Sequence, residues 1–126
     1  MKTAHDFVEE ARKQVEEISV DQADEAIKQA DLLLDVRDAD EYQVSHIPGA
    51  TNVSRGRLEF KFSTDPALEN RDMNIVVYCK SSGRAALSAK VLQEMGYRHI
   101  KSIAGGFDAW QQAGKDTTSP DLPDFE

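Results

Sequence analysis

The chain has 126 residues, a length that suits one globular domain and leaves no room for a second of ordinary size. Its residues are 40% hydrophobic and 30% charged, the composition of an ordinary globular protein rather than of a disordered or fibrous one. The formal net charge of −8, without any dense run of lysine and arginine, argues against binding to nucleic acid or to an acidic membrane surface.

Residues 1 to 17 carry the pattern of an amphipathic helix. Apolar residues recur there at helical spacing among charged ones, namely Phe7, Val8, Ala11 and Val15. This pattern predicts a helix over about residues 4 to 17 that packs onto the domain. The short apolar patch at residues 18 to 20 then predicts a strand, and Asp21 is a candidate N-cap for a second helix.

Three compact apolar runs predict strands: residues 32 to 36, 74 to 79 and 99 to 103. Residues 84 to 95 predict a helix between the last two strands, ended by Gly96 in the left-handed conformation. Strands that alternate with helices predict an α/β domain over residues 18 to 114, with a mostly parallel sheet covered by helices on both faces. Residues 115 to 126 are acidic, contain two prolines and predict a flexible tail.

No apolar stretch resembles a secretory signal or approaches the roughly twenty residues of a membrane span. We therefore expect a cytoplasmic protein without membrane contact. One cysteine and three dispersed histidines offer no pair of zinc ligands, so we expect no metal. The Gly105-Gly106 pair lacks the G-x-G-x-x-G pattern, so we expect no nucleotide cofactor.

The loop that follows the strongest predicted strand carries the features of a reactive site. It starts at Cys79, ends at Arg84, and contains Lys80, Ser81, Ser82 and Gly83. A short loop between a strand and a helix can turn several backbone N–H groups toward one point, where the helix dipole adds positive potential. This potential, with Lys80 and Arg84, favours the nucleophilic thiolate form of Cys79. Ser82 is also a candidate cap for the helix.

Two of these residues have structural alternatives. A lone cysteine at a strand end is commonly a small buried hydrophobe that apolar surroundings keep inert, and only the whole loop favours reactivity for Cys79. Arg84 could instead pair with a carboxylate such as Asp35 at the start of the helix. His46 lies in a turn sequence, where a structural role is favoured, and a nucleophile activated by a dipole and cations needs no base.

Three stretches of the chain, in the same order, resemble motifs of the rhodanese family over about residues 18 to 114. Residues 33 to 37 and 46 to 50 are similar to its L-D-V-R and H-I-P-G-A motifs. The segment 79 to 84 resembles its active-site loop, and residues 105 to 110 resemble its G-G-x-x-A-W motif. The resemblance implies a three-layer rhodanese-like domain and a sulfurtransferase of the thiosulfate sulfurtransferase type.

In the chemistry that this resemblance implies, Cys79 accepts a sulfane sulfur from a donor such as thiosulfate and forms a persulfide. It then passes the sulfur to cyanide or to a thiol, including a thiol on another protein. Loop residues from Lys80 to Arg84 would bind the persulfide and the anionic donor. Asp35 and Arg37 would brace the loop as a buried ion pair. Arg55 and Arg57 either rim the pocket or are solvated.

Two other functions stay open: a binding module that uses the fold for docking, and a phosphatase or arsenate reductase. Related phosphatases and arsenate reductases place the arginine one residue further from the cysteine, so the six residues from Cys79 to Arg84 favour sulfur transfer. Ser82 and Ser45 stand where many family members have glycine. Ser82 bears on the loop geometry and the substrate preference.

Overall fold

The computed structural model describes residues 1 to 120, which contain a five-stranded parallel sheet. Its strands are β1 Glu16–Ile18, β2 Leu32–Asp35, β3 Thr51–Asn52, β4 Asn74–Tyr78 and β5 His99–Ile103. In space the strands follow the order β1-β5-β4-β2-β3, which places β4 at the centre. The three compact strands predicted from the sequence correspond to β2, β4 and β5.

Residues 1 to 120 also contain six α-helices and two short 3-10 helices. The α-helices are α1 Ala4–Arg12, α2 Val20–Gln29, α3 Ala39–Val44, α4 Leu58–Thr64, α5 Gly83–Glu94 and α6 Gly106–Gln112, and the 3-10 helices are Arg55–Arg57 and Pro66–Leu68. As the sequence predicted, α5 lies between β4 and β5, and Gly96 follows it with a φ of +98°. None of the helices within residues 1 to 120 is long and apolar enough to cross a membrane.

Side chains along the central strands alternate between two apolar cores, one on each face of the sheet. Leu34 and Val77 belong to the core that α4 and α5 cover, whereas Leu33 and Val76 belong to the core that α2 and α6 cover. The period of two follows from strand geometry, and burial on both faces explains why these strands are continuous apolar runs in the sequence. The predicted α/β architecture, with helices on both faces of the sheet, is therefore confirmed.

The N-terminal helix is shorter than predicted. α1 ends at Arg12, because the residues from Glu16 onward pair with β5 as an edge strand rather than continue the helix. The second helix begins two residues earlier than expected: its N-cap is Ser19, which forms a capping box with Gln22, and Asp21 lies inside the helix. Pairing of residues 16 to 18 with the sheet edge, rather than the helical spacing of the apolar residues, therefore sets where α1 ends.

The C-terminal segment contacts the domain as far as it is described. Thr118 and His46 exchange backbone hydrogen bonds of 2.8 and 2.9 Å, and the Trp110 indole N–H donates to the carbonyl of Asp116 at 2.7 Å. These contacts fall within residues 115 to 126, which the sequence assigned to a flexible tail. Residues 121 to 126 of that segment lie outside the described residues.

Two phenylalanines of α4 allow a matched test of this core. Phe62 is 1% exposed and packs edge-on against Tyr97, whereas Phe60, two residues earlier, is 74% exposed. We expect Phe62→Ala to lower the free energy of unfolding by about 3–5 kcal/mol, because it leaves a cavity. Phe60→Ala should change it by less than about 0.5 kcal/mol in the same denaturant titration. Equal effects of the two substitutions would contradict this packing.

Candidate active site

The loop that contains Cys79 lies at the carboxyl edge of the sheet. Cys79 directly follows the last residue of the central strand β4, and α5 begins four residues later at Gly83. Ligands of parallel α/β sheets commonly bind outside the carboxyl ends of the strands. The strand–loop–helix arrangement that the sequence predicted around Cys79 is therefore present at the edge where function is expected.

Cys79 is buried and lies against the first turn of α5. The residue is 1% exposed, and its sulfur accepts a hydrogen bond of 3.3 Å from the backbone N–H of Ala85. Burial alone also suits an inert core cysteine, but a core cysteine has no need of a backbone donor at a helix amino terminus. The sequence analysis did not include Ala85, although the free N–H groups of a helix's first turn could have indicated it.

Arg84 is held by Glu41 of α3. Its guanidinium makes two hydrogen bonds to that carboxylate, of 2.7 and 3.1 Å, and Glu41 also accepts from the backbone N–H of Asp38. The hydrogen bonds from Arg84 lower the pKa of Glu41 to about 2, and the same contact raises the pKa of Arg84. The suggested pairing of Arg84 with Asp35 is wrong, because Asp35 has its own partner.

That partner is Arg37, in a buried ion pair at the end of β2. Asp35 is fully buried and Arg37 is 4% exposed, and the guanidinium lies 2.8 Å from a carboxylate oxygen. Arg37 also donates to the carbonyl of Ser45 at 2.7 Å and lies 4.3 Å from the centre of the Phe107 ring. The pair is the buried ion pair that the resemblance implied, and its contacts tie β2 to the segment after α3 and to α6 rather than directly to the loop.

The amino terminus of α6 contacts the backbone of the loop that contains Cys79. The backbone N–H groups of Phe107 and Asp108 donate to the carbonyls of Cys79 and Lys80, at 2.8 and 3.0 Å. Gly106 has a φ of +52°, and a Cβ on it would lie 2.3 Å from the Cys79 carbonyl oxygen. Only glycine allows this close approach of two backbones.

This contact determines which way the loop peptides face. The C=O and N–H groups of a trans peptide point in opposite directions, so carbonyls that face α6 leave the next N–H groups pointing away from it. The N–H groups of Lys80, Ser81 and Ser82 donate to no acceptor among residues 1 to 120. That these N–H groups bind an anion stays a prediction from the sequence.

Ser82 has a different role from the predicted one. It is the N-cap residue of α5, but its side chain makes no capping hydrogen bond. Its hydroxyl oxygen instead accepts from the backbone N–H of Gly105 at 3.1 Å. The serine that stands where many family members have glycine therefore joins the loop to the turn before α6.

The other cations considered from the sequence are partly or largely exposed. Lys80 lies 2.9 Å from the Asp108 carboxylate, and their side chains are 62% and 42% exposed. Arg55 pairs with Glu59 at 3.0 Å, and the neighbouring Arg57 is exposed without an ion pair to any of residues 1 to 120. Among the cations considered, Arg84 is the one at the start of α5, where two hydrogen bonds to Glu41 fix its guanidinium.

A recess of about 300 Å³ adjoins the loop. Its wall includes the side chains of Glu41, Val44, Lys80, Phe107, Asp108 and Gln111. Two of these residues are direct neighbours of the reactive segment, since Lys80 follows Cys79 in the chain and Phe107 donates to its carbonyl. Within residues 1 to 120, no group of three or more His, Cys, Asp and Glu side chains is placed to hold a metal ion.

The fold and this loop define an α/β protein with a cysteine at the amino terminus of a helix, beyond the central strand of a parallel sheet. The model of the rhodanese-like domain family matches residues 19 to 113. The chain belongs to that family, which confirms the resemblance found in its motifs.

Individual relatives and structures agree with this assignment. The chain is 32% identical over 97 residues to the thiosulfate sulfurtransferase GlpE of Coxiella burnetii, across 75% of this chain and 86% of that protein. It is 33% identical over 90 residues to the adenylyltransferase and sulfurtransferase UBA4 of Candida albicans, but there it matches only 20% of the relative's length and 66% of its own.

A solved structure from Rhodopseudomonas palustris superposes with a TM-score of 0.83 at 28% identity, and the match covers 94% of this chain and 96% of that one. That protein is described as being of unknown function and a possible tyrosine phosphatase.

The contact at Gly106 can be tested with two glycine substitutions. Gly106→Ala should lower the free energy of unfolding by about 1–3 kcal/mol, because the new Cβ overlaps the carbonyl oxygens of Cys79 and Ser81. The displaced loop should also let iodoacetamide alkylate Cys79 faster. Gly56→Ala is the control, since its Cβ would meet nothing within 4 Å. Unchanged melting and alkylation in Gly106→Ala would contradict the close approach.

The Glu41–Arg84 pair predicts a pH-dependent contribution to stability. The pKa of Glu41 is about 2 in the folded protein and near 4.5 when the chain is unfolded. The stabilisation is therefore complete above about pH 5 and is lost as the pH falls from 4.5 toward 2. At pH 7, Glu41→Gln should lower the free energy of unfolding by about 1 kcal/mol, since the pair is partly exposed.

This difference between Glu41→Gln and the unmutated protein should shrink steadily below pH 4.5 in urea titrations at matched ionic strength. Carboxylates other than Glu41 titrate in both proteins, so their contributions cancel in the difference. A difference that stays constant between pH 7 and pH 2.5 would show that the Glu41 charge does not stabilise the fold through Arg84.

Proposed function

We propose that this protein is a sulfurtransferase in which Cys79 carries a sulfane sulfur as a persulfide. The observation that carries the proposal is the backbone donor of Ala85, 3.3 Å from the Cys79 sulfur at the start of α5. A donor and a helix dipole at this place stabilise a thiolate and, after loading, the negative charge of the outer sulfur. Arg84 adds a positive charge that Glu41 keeps in position.

The proposed cycle has two displacements. The Cys79 thiolate attacks the sulfane sulfur of a donor such as thiosulfate, a sulfur–sulfur bond forms to Cys79, and sulfite leaves with the electron pair of the broken bond. In the second step cyanide or a thiolate attacks the outer sulfur, and the Cys79 thiolate leaves. The cycle needs no oxidant, because the sulfane sulfur changes only its bonding partner.

The loop supports the first step by its free N–H groups. Those of Lys80, Ser81 and Ser82 face away from α6 and donate to no acceptor in the described part of the chain. Three such donors suit the oxygen atoms of an anionic donor and the charge that develops on its leaving group. The name of the GlpE relative, a thiosulfate sulfurtransferase, supports thiosulfate as the donor to test first.

A phosphatase is the second candidate, because the Rhodopseudomonas palustris structure is described as a possible tyrosine phosphatase. Phosphatases of related fold need a loop wide enough for a tetrahedral phosphate. Here the loop from Cys79 to Arg84 spans six residues, one fewer than theirs, and its guanidinium is engaged by Glu41. Both features favour sulfur transfer over phosphate hydrolysis.

Intact-mass measurement after incubation with thiosulfate tests the persulfide. We expect the unmutated protein to gain the mass of one sulfur atom, to lose it on addition of cyanide, and to release thiocyanate. Cys79→Ser should gain nothing, because this is the chain's only cysteine. Arg84→Lys should load more slowly by about 10-fold or more, since lysine cannot reproduce the two-point contact with Glu41.

Two results would count against the proposal. Failure of the unmutated protein to gain sulfur from thiosulfate or from a thiol persulfide would favour a binding module with the same fold. Hydrolysis of an aryl phosphate that Cys79→Ser abolishes would instead establish the phosphatase.

A further inference from the structure

The recess beside Cys79 contains an ion pair that the proposed sulfur transfer does not require. Lys80 and Asp108 lie 2.9 Å apart on its wall, and both side chains are largely exposed to solvent. An exposed pair of this kind contributes little to stability. Its partners can therefore separate at low cost and bind the groups of a ligand.

The opposite charges of this wall balance one another. The charged residues that line the recess are Arg37, Lys80, Glu41 and Asp108, and Lys80 faces Asp108. Two positive and two negative side chains give the mouth a formal charge of zero. The wall therefore carries no net charge, and a molecule with both an ammonium and a carboxylate group finds a partner for each.

The remaining wall and the size of the recess suit a small organic molecule. Val44, which is 78% exposed, and Phe107 both line the recess, so a short carbon chain would find apolar contacts there. A volume of about 300 Å³ is at the lower end for ligand sites. The recess also borders Lys80, the residue after Cys79, so a bound thiol would lie close to the reactive loop.

We propose that this recess binds the sulfur acceptor and that the acceptor is a small aminothiol acid, a thiol with ammonium and carboxylate groups. Lys80 binds its carboxylate, Asp108 binds its ammonium group, and Val44 and Phe107 contact its carbon chain. The inference rests on the proposed persulfide of Cys79 and extends it by naming the class of acceptor and the residue that selects it.

The transfer at this subsite balances without a further reagent. The acceptor's thiolate attacks the outer sulfur of the Cys79 persulfide and forms a new sulfur–sulfur bond. The bond between that sulfur and Cys79 breaks, and its electron pair returns to the Cys79 thiolate. The products are the acceptor's persulfide and the free enzyme.

Asp108→Asn is the informative variant. The backbone N–H of Asp108 donates to the Lys80 carbonyl, and this hydrogen bond does not depend on the side chain, so the loop keeps its support. Asp72→Asn is the matched control, because it makes the same change in an exposed ion pair, with Arg98. Asp72 immediately precedes the buried Met73 before β4, on the opposite edge of the sheet from Cys79.

Each protein is first loaded with thiosulfate and checked by intact mass, and kcat/KM is then measured for discharge by cysteine, cysteamine and 3-mercaptopropionate. The ratio of variant to unmutated protein for each thiol removes differences in intrinsic nucleophilicity. We expect Asp108→Asn to lower kcat/KM about fivefold for cysteine and cysteamine and to raise it about fivefold for 3-mercaptopropionate, the effect of one unit charge at about 4 Å in water. Asp72→Asn should change none of the three.

Added salt provides a second readout. The differences between the thiols should shrink at about 0.5 M salt, roughly three times physiological ionic strength, because exposed charges are screened there. An Asp108→Asn effect that is equal for cysteamine and 3-mercaptopropionate, or absent for both, overturns the inference while the persulfide cycle stands. If the unmutated protein never takes up sulfur, the proposed function fails and the acceptor subsite fails with it.

Discussion

The contact between α6 and the reactive loop is the constraint on which the rest of the site depends. Because Gly106 lies directly against the carbonyls of Cys79 and Ser81, the carbonyl groups of the loop must point toward α6. That orientation frees the N–H groups of Lys80 to Ser82, and Ser82 reinforces it through Gly105. A glycine 27 positions after the cysteine therefore shapes the face of the loop that we propose to bind an anion, although it takes no part in the proposed chemistry.

Charge is balanced around the loop at three levels of burial. The Asp35–Arg37 pair is buried and braces β2 against α6, the Glu41–Arg84 pair is partly exposed, and the Lys80–Asp108 pair lies at the surface. Buried pairs are costly to break, while exposed ones exchange partners easily. The outermost pair is consequently the one suited to ligand exchange, and the inner two are suited to holding geometry.

The sequence predicted the parts of this site that depend on local pattern. The buried strands, the helix after Cys79 and the loop itself follow from apolar runs, Gly96 and the spacing to Arg84. Glu41 could not be assigned to Arg84, because 43 residues separate them and several carboxylates compete. The two-residue strand β3 and the helix α4, with Phe60 facing solvent, are too short or too irregular for a periodic signal.

Burial of Cys79 also bears on what the protein can exchange. Because Cys79 is 1% exposed, the terminal sulfur atom of a small donor can reach its thiol more easily than a bulky electrophile can. The chain has no second cysteine to form a disulfide with a loaded Cys79, so the sulfur must leave to another molecule. A buried, unaccompanied cysteine whose sulfur accepts a hydrogen bond from Ala85 thus agrees with the proposed sulfur relay, in which burial limits the contact of the bound sulfur with solvent.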